Sequence, residues 1–178
     1  MIKQVRLDER LTHGQVNTKW IAYLGATHVV VVDDESANDA FQTNLLKMSI
    51  PEKVKSMVVT CDKAIQILND PRCERMNIFV VVKTPQYILK LVENVPSIKE
   101  VNLANYGYQH KADVPNKTKI TNNLSLDEDD LRCCKEIIKK VDSCYHQVLS
   151  DTPKKTVKLI GFNTESRFSR IYTLRKNN

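Results

Sequence analysis

The sequence predicts an α/β fold in a single domain, with a mostly parallel central sheet that is covered by helices on both faces. Continuous β-branched runs such as HVVVV (28–32) and NIFVVVK (77–83) are typical of strands buried on both faces. Segments of helical periodicity separate these runs, and an alternation of strands and helices favours parallel βαβ units. At 178 residues, the chain is long enough to bury one substantial core.

Six strands are predicted from short runs of β-branched and other apolar residues that are bounded by polar residues, glycine or proline. The second and fourth runs are almost entirely apolar, whereas the first and fifth mix apolar with polar residues. Residues 105–123 are polar and are predicted to form a loop or an irregular hairpin. In chain order, the predicted strands are residues 2–7, 28–32, 56–61, 77–83, 100–104 and 144–150.

Five helices are predicted between these strands. In the first helix, Val16, Trp20 and Leu24 recur at positions i, i+4 and i+8 and therefore share one face. Thr84-Pro85 is typical of an N-cap followed by proline at the first helical position, and Ser125–Glu128 matches a capping box. Pro51 and Pro71 are expected to stop the second and third helices. In chain order, the predicted helices are residues 14–24, 40–48, 62–70, 85–95 and 126–141.

Composition and charge exclude several classes of protein. No apolar run approaches the roughly 18 residues of a membrane span, and MIKQVRLDER lacks the apolar stretch of a secretory signal. We therefore expect a cytoplasmic protein. The formal net charge is +6, but the last 18 residues, with four basic residues and one acidic residue, contribute half of it. The remaining 23 basic and 20 acidic residues form no basic cluster, which argues against a nucleic-acid partner.

The cysteines and histidines show no spacing that is typical of a metal site. The five cysteines contain no CxxC pair, and in a cytoplasmic chain an odd number of them is expected to remain as free thiols. No HxxxH pair is present, so a metal site is not expected. Three of the four histidines are interpreted as structural or surface residues: His28, His110 and His146.

The C-terminal end departs from the pattern of the rest of the chain. From Gly161 onward, the alternation of strands and helices stops and basic residues predominate. We predict a domain over residues 1–160, followed by a non-native or disordered tail over residues 161–178. A shifted reading frame is one possible origin of this tail.

The run RLDERLTHGQVNTKW (6–20) places one histidine between charged residues and the start of the first helix. His13 follows the first strand, and ligands of open α/β sheets bind beyond the carboxyl ends of strands. A helix N-terminus favours an anion, and Gly14 would let the backbone approach a bound group. Arg10 offers a planar fork for phosphate oxygens, and Asp8 could orient the imidazole or hold Arg10.

These residue types suit a histidine that carries a phosphoryl group, because part of the imidazole of His13 is neutral and nucleophilic near pH 7. Arg10 and the helix amides would stabilise the phosphate charge, and the Gln15 amide could donate to it. Arg6 shares its strand parity with Asp8 and could also reach the phosphate. The pattern alone leaves open a structural role for Arg6. For the histidine, it leaves open a structural hydrogen-bond network or a general base in a hydrolase.

The same run closely resembles the signature R-[IV]-D-[DE]-R-L-I-H-G-Q-V-…-W of enzyme IIB of the mannose–fructose–sorbose family, in the bacterial sugar phosphotransferase system. The resemblance continues through GATHVVVVDDESANDAFQTNLLKMSIP, EVNLANYG, LSLDEDDL and DTPKKTVKLI, and it covers residues 1–160. Thr12 stands where the family usually has an apolar residue. Ala104 and Asn105 replace glycines in a loop near the site. This difference from the family affects the expectation of which group of sugars or which partner protein the chain recognises.

The resemblance implies a protein-Nπ-phosphohistidine–sugar phosphotransferase. The residue at the place of His13 accepts phosphate on Nδ1 from enzyme IIA and passes it to a sugar that enters through the membrane components IIC and IID. Arg10 and Asp8 lie beside the phosphate, and Gly14 and Gln15 offer donors. No metal or organic cofactor is implied, and the protein is expected to associate peripherally with the permease. Because the chain starts at the signature, IIA is expected to be a separate chain.

Two other classes of function fit parts of the sequence. VVVVDDESANDAF resembles the acidic pocket of a receiver domain that is phosphorylated on aspartate. A full β–α unit precedes it here, however, and the later strands end in Cys61 and Lys83 rather than in an acceptor aspartate. Asp33 and Asp34 are therefore predicted to cap a neighbouring helix, with a reach to the site as the alternative, and Lys83 is a weaker site candidate. A non-catalytic, regulatory IIB-like module is the other alternative, and the intact signature residues argue against it.

Overall fold

The computed structural model describes residues 1–12, 14–108, 117–157 and 175–176. The side chains of Gln15, Val16, Arg175 and Lys176 are excluded from this description. The predicted site residue His13, the histidine His110 and most of the predicted tail lie outside the described residues. Within them, an eight-stranded sheet is flanked by helices on both faces, which confirms the predicted fold class.

The described residues contain the following strands and helices. The strands are β1 Ile2–Asp8, β2 His28–Val32, β3 Lys55–Val59, β4 Ile78–Val82, β5 Glu100–Asn105, β6 Thr118–Thr121, β7 Leu124–Leu126, β8 Ser143–His146, β9 Lys155–Thr156 and β10 Arg175–Lys176. The α-helices are α1 Gly14–Leu24, α2 Asp34–Ala37, α3 Ala40–Met48, α4 Cys61–Leu68, α5 Pro85–Asn94 and α6 Glu128–Lys140, and a 3-10 turn spans Pro71–Arg75.

The topology of the sheet determines where a ligand site can form. The strand order is β10-β9-β8-β5-β1-β4-β2-β3, and the six strands from β8 to β3 are mutually parallel. Strands β9 and β10 extend one edge in antiparallel fashion. The chain leaves β1 toward β2 on one side and leaves the adjacent β5 toward β8 on the other. The carboxyl ends of β1 and β5 therefore form a switch point with a crevice between diverging connections.

The core lies on both faces of this sheet. One face packs against α4, α5 and α6, where Leu91 is fully buried. The other face packs against α1 and α3 through Trp20 and Leu46. Along β2, Val30 belongs to the first cluster and Val31 to the second, as expected for alternating side chains on a strand buried on both faces.

Two helix starts test the predicted capping residues. The side chain of Thr84 accepts a backbone N–H from the first turn of α5, whose first residue is Pro85, as predicted. The prediction of Ser125 as the N-cap of the last helix is wrong, because Ser125 lies in strand β7. Helix α6 starts later, where Asp127 accepts the N–H of Asp130 and the Asp130 side chain accepts the N–H of Asp127 in return.

Other differences concern short elements and strand ends. The third predicted strand ends at Val59, because Thr60 caps α4. The last predicted strand ends at His146, four residues early. Of the predicted segment 105–123, β6 forms one strand of a hairpin, and its partner β7 begins at Leu124, beyond the predicted bounds. Helix α2 and strands β9 and β10 were not predicted. Elements of two to four residues carry too little periodicity to be recognised in a sequence.

His146, at the end of β8, joins the hairpin to the main sheet. Its Nδ1 lies 2.7 Å from the carbonyl oxygen of Leu103, and its Nε2 lies 3.3 Å from Oγ1 of Thr121. A carbonyl oxygen only accepts, so Nδ1 carries a proton, and in the neutral ring Nε2 accepts from the threonine hydroxyl. Burial lowers the pKa of His146, and the charges of Lys155 and Arg6 lower it further, against the raising effect of the Leu103 carbonyl.

We expect the free energy of unfolding to fall as the pH drops below about 6.5, because the unfolded state then takes up the proton that folded His146 resists. His146→Asn keeps an N–H donor near Leu103 and removes this titration, so its stability should depend less on pH over the same range. The pKa of His28 is also lowered, by burial and by Lys55, so part of the dependence should remain. Urea unfolding between about pH 7.5 and pH 5 measures this, and an unchanged pH dependence in His146→Asn would contradict it.

Gly107 and Gly25 provide a matched test of backbone constraint. Both have positive φ, 86° and 56°, but a Cβ at Gly107 would overlap the carbonyl oxygen of Ser125, whereas one at Gly25 meets nothing within 4 Å. Gly25→Ala should therefore cost about 1–2 kcal/mol of backbone strain, and Gly107→Ala should cost clearly more. Urea unfolding measures the stability of both variants. Equal losses of stability in the two variants would show that the close contact of Gly107 with Ser125 does not contribute to the cost of the substitution.

Candidate functional site

The candidate site begins where β1 and β5 end side by side. The register between them shifts after Leu7, so that Asp8 pairs with Asn105 and Ala104 is the extra residue. Such a bulge redirects side chains and is common beside functional sites. The Nδ2 of Asn105 donates to Oδ1 of Asp8 at 3.2 Å, and the backbone N–H of Glu9 donates to the carbonyl oxygen of Asn105 at 2.9 Å. The two strand ends are thus joined by both side-chain and backbone bonds.

The carboxylate of Asp8 is the centre of this arrangement and is 2% exposed. Its Oδ2 accepts from Nε and Nη2 of Arg6, at 3.3 and 3.1 Å. Its Oδ1 accepts the backbone N–H of Arg10 at 3.3 Å in addition to the amide of Asn105, and Nε of Arg10 lies 3.6 Å away. Because every neighbour is a donor, the site fits a carboxylate, which only accepts hydrogen bonds.

Arg6 supports Asp8 from inside the protein. Its side chain is completely buried, and Nη1 and Nη2 donate to the carbonyl oxygens of Gln147 and Val148, each at 3.2 Å. Its guanidinium lies over the Trp20 ring, 5.2 Å from the centroid, and the indole N–H donates to the same Val148 carbonyl. Burial lowers the pKa of Arg6 while Asp8 opposes this shift, and an arginine remains charged in such a setting. Arg6 therefore has the structural role that the sequence left open. Its direct contact with phosphate stays a prediction.

Arg10 occupies the opposite, outer side of Asp8. Its side chain is 36% exposed, in contrast to the fully buried Arg6. Arg6, Asp8 and Arg10 therefore converge, although β1 ends at Asp8 and Arg10 lies beyond the strand, and the carboxylate lies between an inner and an outer guanidinium. These three side chains carry a net charge of +1, because the inner arginine balances the aspartate.

The backbone before His13 is held in an unusual conformation. Leu11 is buried and has a φ of 56°, in the left-handed region that bulky residues rarely adopt. Its N–H donates to the carbonyl oxygen of Asp8, and its own carbonyl accepts from Nδ2 of the buried Asn17, both at 2.9 Å. Such strain costs about 1–2 kcal/mol, and the surrounding hydrogen bonds maintain it.

Thr12 fixes the same loop to the end of α3. Its Oγ1 donates to the carbonyl oxygen of Leu46 at 3.1 Å, and its own carbonyl oxygen accepts from Oγ of Ser49 at 2.7 Å. A threonine hydroxyl is needed for the first of these bonds. This contact gives a physical reason for a polar residue at the position where the family usually has an apolar one.

The chain resumes after His13 with the start of α1. Gly14 is exposed and has a φ of 66°, so its freedom to adopt positive φ is used here, although a Cβ would meet nothing within 4 Å. The first turn, GQVN, contains no acidic residue that would oppose an anion at this helix N-terminus. The side chain of Gln15 lies outside the described residues.

The acidic residues after β2 cap helices, as predicted. Asp33 accepts from the first turn of α2, and Oδ1 of Asp34 accepts the N–H of Cys61, the first residue of α4, at 2.7 Å.

Lys83, a weaker site candidate, contacts Asp33 and Glu35 at 3.2 and 2.8 Å. Burial alone would lower the pKa of Lys83, but hydrogen bonds to these carboxylates raise it. Burial also raises the pKa of Cys61 to about 11, so its thiol is unreactive.

Within the described part of the chain, no group of three or more His, Cys, Asp and Glu side chains could hold a metal ion. None of the helices in the same residues is long and apolar enough to cross a membrane. All five cysteines are described and none forms a disulfide.

Sequence reasoning missed several residues of this site, among them Asn17, Ser49 and the acceptor carbonyls after β8. Asn105 was noticed only as a departure in a nearby loop, yet it contacts Asp8 directly. The available signal was its place directly after the predicted strand 100–104. The contacts of Thr12 with α3 have no local signal, because residues more than 30 positions apart make them.

Comparisons with known proteins agree with the earlier resemblance. Residues 2–169 match the family model described as PTS system sorbose subfamily IIB component. A probable phosphotransferase enzyme IIB component of Streptococcus pyogenes serotype M6 is 34% identical over 155 residues, which cover 86% of this chain and 95% of that protein. The mannose-specific EIIAB component of Escherichia coli K12 is 29% identical over 90% of this chain and 49% of its own length.

A solved structure agrees as well. The IIBSor domain of the sorbose permease from Klebsiella pneumoniae superimposes with a TM-score of 0.80 at 26% identity, over 88% of this chain and 93% of that domain. The family match extends beyond residue 160, to residue 169. Residues 175–176 pair with β9. The non-native or disordered tail over residues 161–178 stays a prediction. The chain belongs to the sorbose subfamily of IIB components, transferases of the sugar phosphotransferase system.

Proposed function

We propose that this protein is a phosphocarrier in which His13 accepts a phosphoryl group from an enzyme IIA. His13 then passes the group to a sugar that is imported through the membrane components IIC and IID. The observation that carries this proposal is the cluster of Arg6, Asp8 and Arg10 at the end of β1, immediately before the loop that contains His13. The protein would act in the cytoplasm, at the inner side of the permease.

In the first step, Nδ1 of neutral His13 attacks the phosphorus of the donor phosphohistidine. A P–N bond forms to His13 while the P–N bond to the donor breaks, and the donor imidazole leaves. Negative charge is spread over the phosphoryl oxygens during this transfer, so catalysis depends mainly on position and on nearby positive charge. Arg10 supplies that charge from the exposed side of Asp8. The N–H groups at the start of α1 point toward the same loop.

The buried arginine makes this arrangement effective. Without Arg6, the negative charge of Asp8 would cancel much of the field of Arg10. Because Arg6 binds Oδ2 and leaves Oδ1 to the backbone and side chain of Arg10, Asp8 orients Arg10 while the cluster keeps its positive net charge. Gly14 and Gln15 remain as proposed donors at the helix start.

A protein donor also needs a surface on which to dock. Three apolar side chains of α3 are strongly exposed and lie on one face at i, i+4 and i+7: Phe41 at 73%, Leu45 at 53% and Met48 at 83%. The same helix contacts Thr12, the residue before His13, through Leu46 and Ser49. Because the C-terminal end of α3 contacts the residue before His13, we propose that the α3 face docks IIA.

The proposed function predicts a strong effect of Arg10. Arg10→Ala should slow phosphoryl transfer from a phosphorylated IIA by orders of magnitude without unfolding the protein, and His13→Ala should abolish it. Rapid-quench labelling measures the rate. Arg72→Ala is the matched control, because this exposed arginine pairs with Asp70 near the amino ends of the strands. A normal rate in Arg10→Ala would reject the phosphate-binding role.

The α3 face gives a separate prediction. The double variant Phe41→Ser/Met48→Ser should raise the KM for phosphorylated IIA several-fold and leave the rate at saturating donor unchanged, because it removes docking area without touching the site. Lys139→Ser, on α6 at the other face of the sheet, is the control. An unchanged KM in the double variant would exclude this face from the interface.

A further inference from the structure

Glu9 lies next to the buried Asp8 but binds a different part of the protein. Its Oε2 accepts the N–H of Gly107 and its Oε1 accepts the N–H of Tyr108, both at 2.9 Å. Its own N–H donates to the carbonyl oxygen of Asn105 at 2.9 Å. Glu9 therefore binds three successive peptide groups of the loop that follows β5. We call residues 105–108 the β5 loop.

The β5 loop is held from its other side as well. The N–H of Tyr106 donates to the carbonyl oxygen of Asn123, and the N–H of Ser125 donates to the carbonyl oxygen of Tyr106, both at 2.9 Å. Gly107 adopts a φ of 86° and packs so closely on the carbonyl of Ser125 that a Cβ would not fit. The loop is thus confined between Glu9 and the hairpin β6–β7.

The β5 loop also carries a donor of the proposed site. Asn105 donates through its side chain to Asp8 and accepts through its carbonyl from Glu9. Displacement of the loop would therefore move a donor of the carboxylate that orients Arg10. The two amide hydrogen bonds also disperse the charge of the Glu9 carboxylate.

We propose that Glu9 is a positioning residue for phosphoryl transfer: it holds the β5 loop against the end of β1 and so maintains the contacts of Asp8 with Asn105 and Arg10. This inference rests on the proposed function of His13. It makes no use of direct contact between Glu9 and phosphate, and it assigns a role that the signature resemblance leaves undefined.

Two substitutions separate positioning from a simple effect of charge. Glu9→Ala removes both amide acceptors and should lower the rate of transfer from phosphorylated IIA about tenfold at saturating donor, with an unchanged KM. Glu9→Gln keeps one carbonyl acceptor without the charge and should restore part of that rate. If Glu9 acted only as a nearby negative charge, both variants would instead transfer faster, and to the same extent.

Amide hydrogen exchange supplies a readout that does not depend on phosphorylation. The amides of Gly107 and Tyr108 should exchange roughly tenfold faster or more in Glu9→Ala, since each amide loses its hydrogen bond to a charged acceptor. Asp70→Ala is the control: Asp70 accepts the backbone N–H of Arg72 at 2.9 Å, and its loss should leave both amides unchanged.

The outcomes distinguish this inference from the proposed function. Unaltered protein that accepts no phosphate on His13 would reject the proposed function itself. If the unaltered protein is labelled but Glu9→Ala transfers at the normal rate, the positioning role is rejected. Unchanged exchange of the two amides would reject the claim that Glu9 holds the loop. Faster exchange, slower transfer and partial recovery in Glu9→Gln together would support the inference.

Discussion

The arrangement of the site depends on the burial of one ion pair, Arg6–Asp8. Removing two charges from water is costly, and burial is tolerated only where hydrogen bonds satisfy both groups. Asp8 obtains its donors from β1, from the loop after it and from Asn105 at the end of β5. Arg6 obtains its remaining acceptors from two carbonyls after β8. A single buried pair therefore ties together the ends of three adjacent strands.

The same constraint explains how a strained loop is maintained. The positive φ of Leu11 and the register shift at Asp8 are each unfavourable alone, yet they lie only three residues apart along β1 and the turn after it. Hydrogen bonds with Asp8, Asn17 and the end of α3 hold Leu11 and Thr12, which directly precede His13. In the proposed mechanism, this rigidity is useful, because phosphoryl transfer depends more on position than on reactive groups.

Much of the fold could be predicted from the sequence, since it follows from local patterns. The valine runs identified the central strands, and Thr84-Pro85 identified the start of α5. The last helix was placed at the wrong N-cap, because Asp127–Asp130 forms the capping box with an aspartate where glutamate was sought. Strand parity correctly placed Arg6 and Asp8 on one face, whereas Arg10 reaches Asp8 from the turn after β1, which ends at Asp8. It could not show which arginine is buried, because the acceptors of Arg6 lie more than 140 residues away.

The measurement that tests the central claim most directly is the chemical location of the phosphate. The purified protein would be phosphorylated by the general phosphotransferase proteins and a IIA partner, digested, and its peptides examined by mass spectrometry before and after acid treatment. The account predicts one acid-labile phosphate, on His13. A protein that remains unlabelled, or that carries the label on an aspartate, would contradict it.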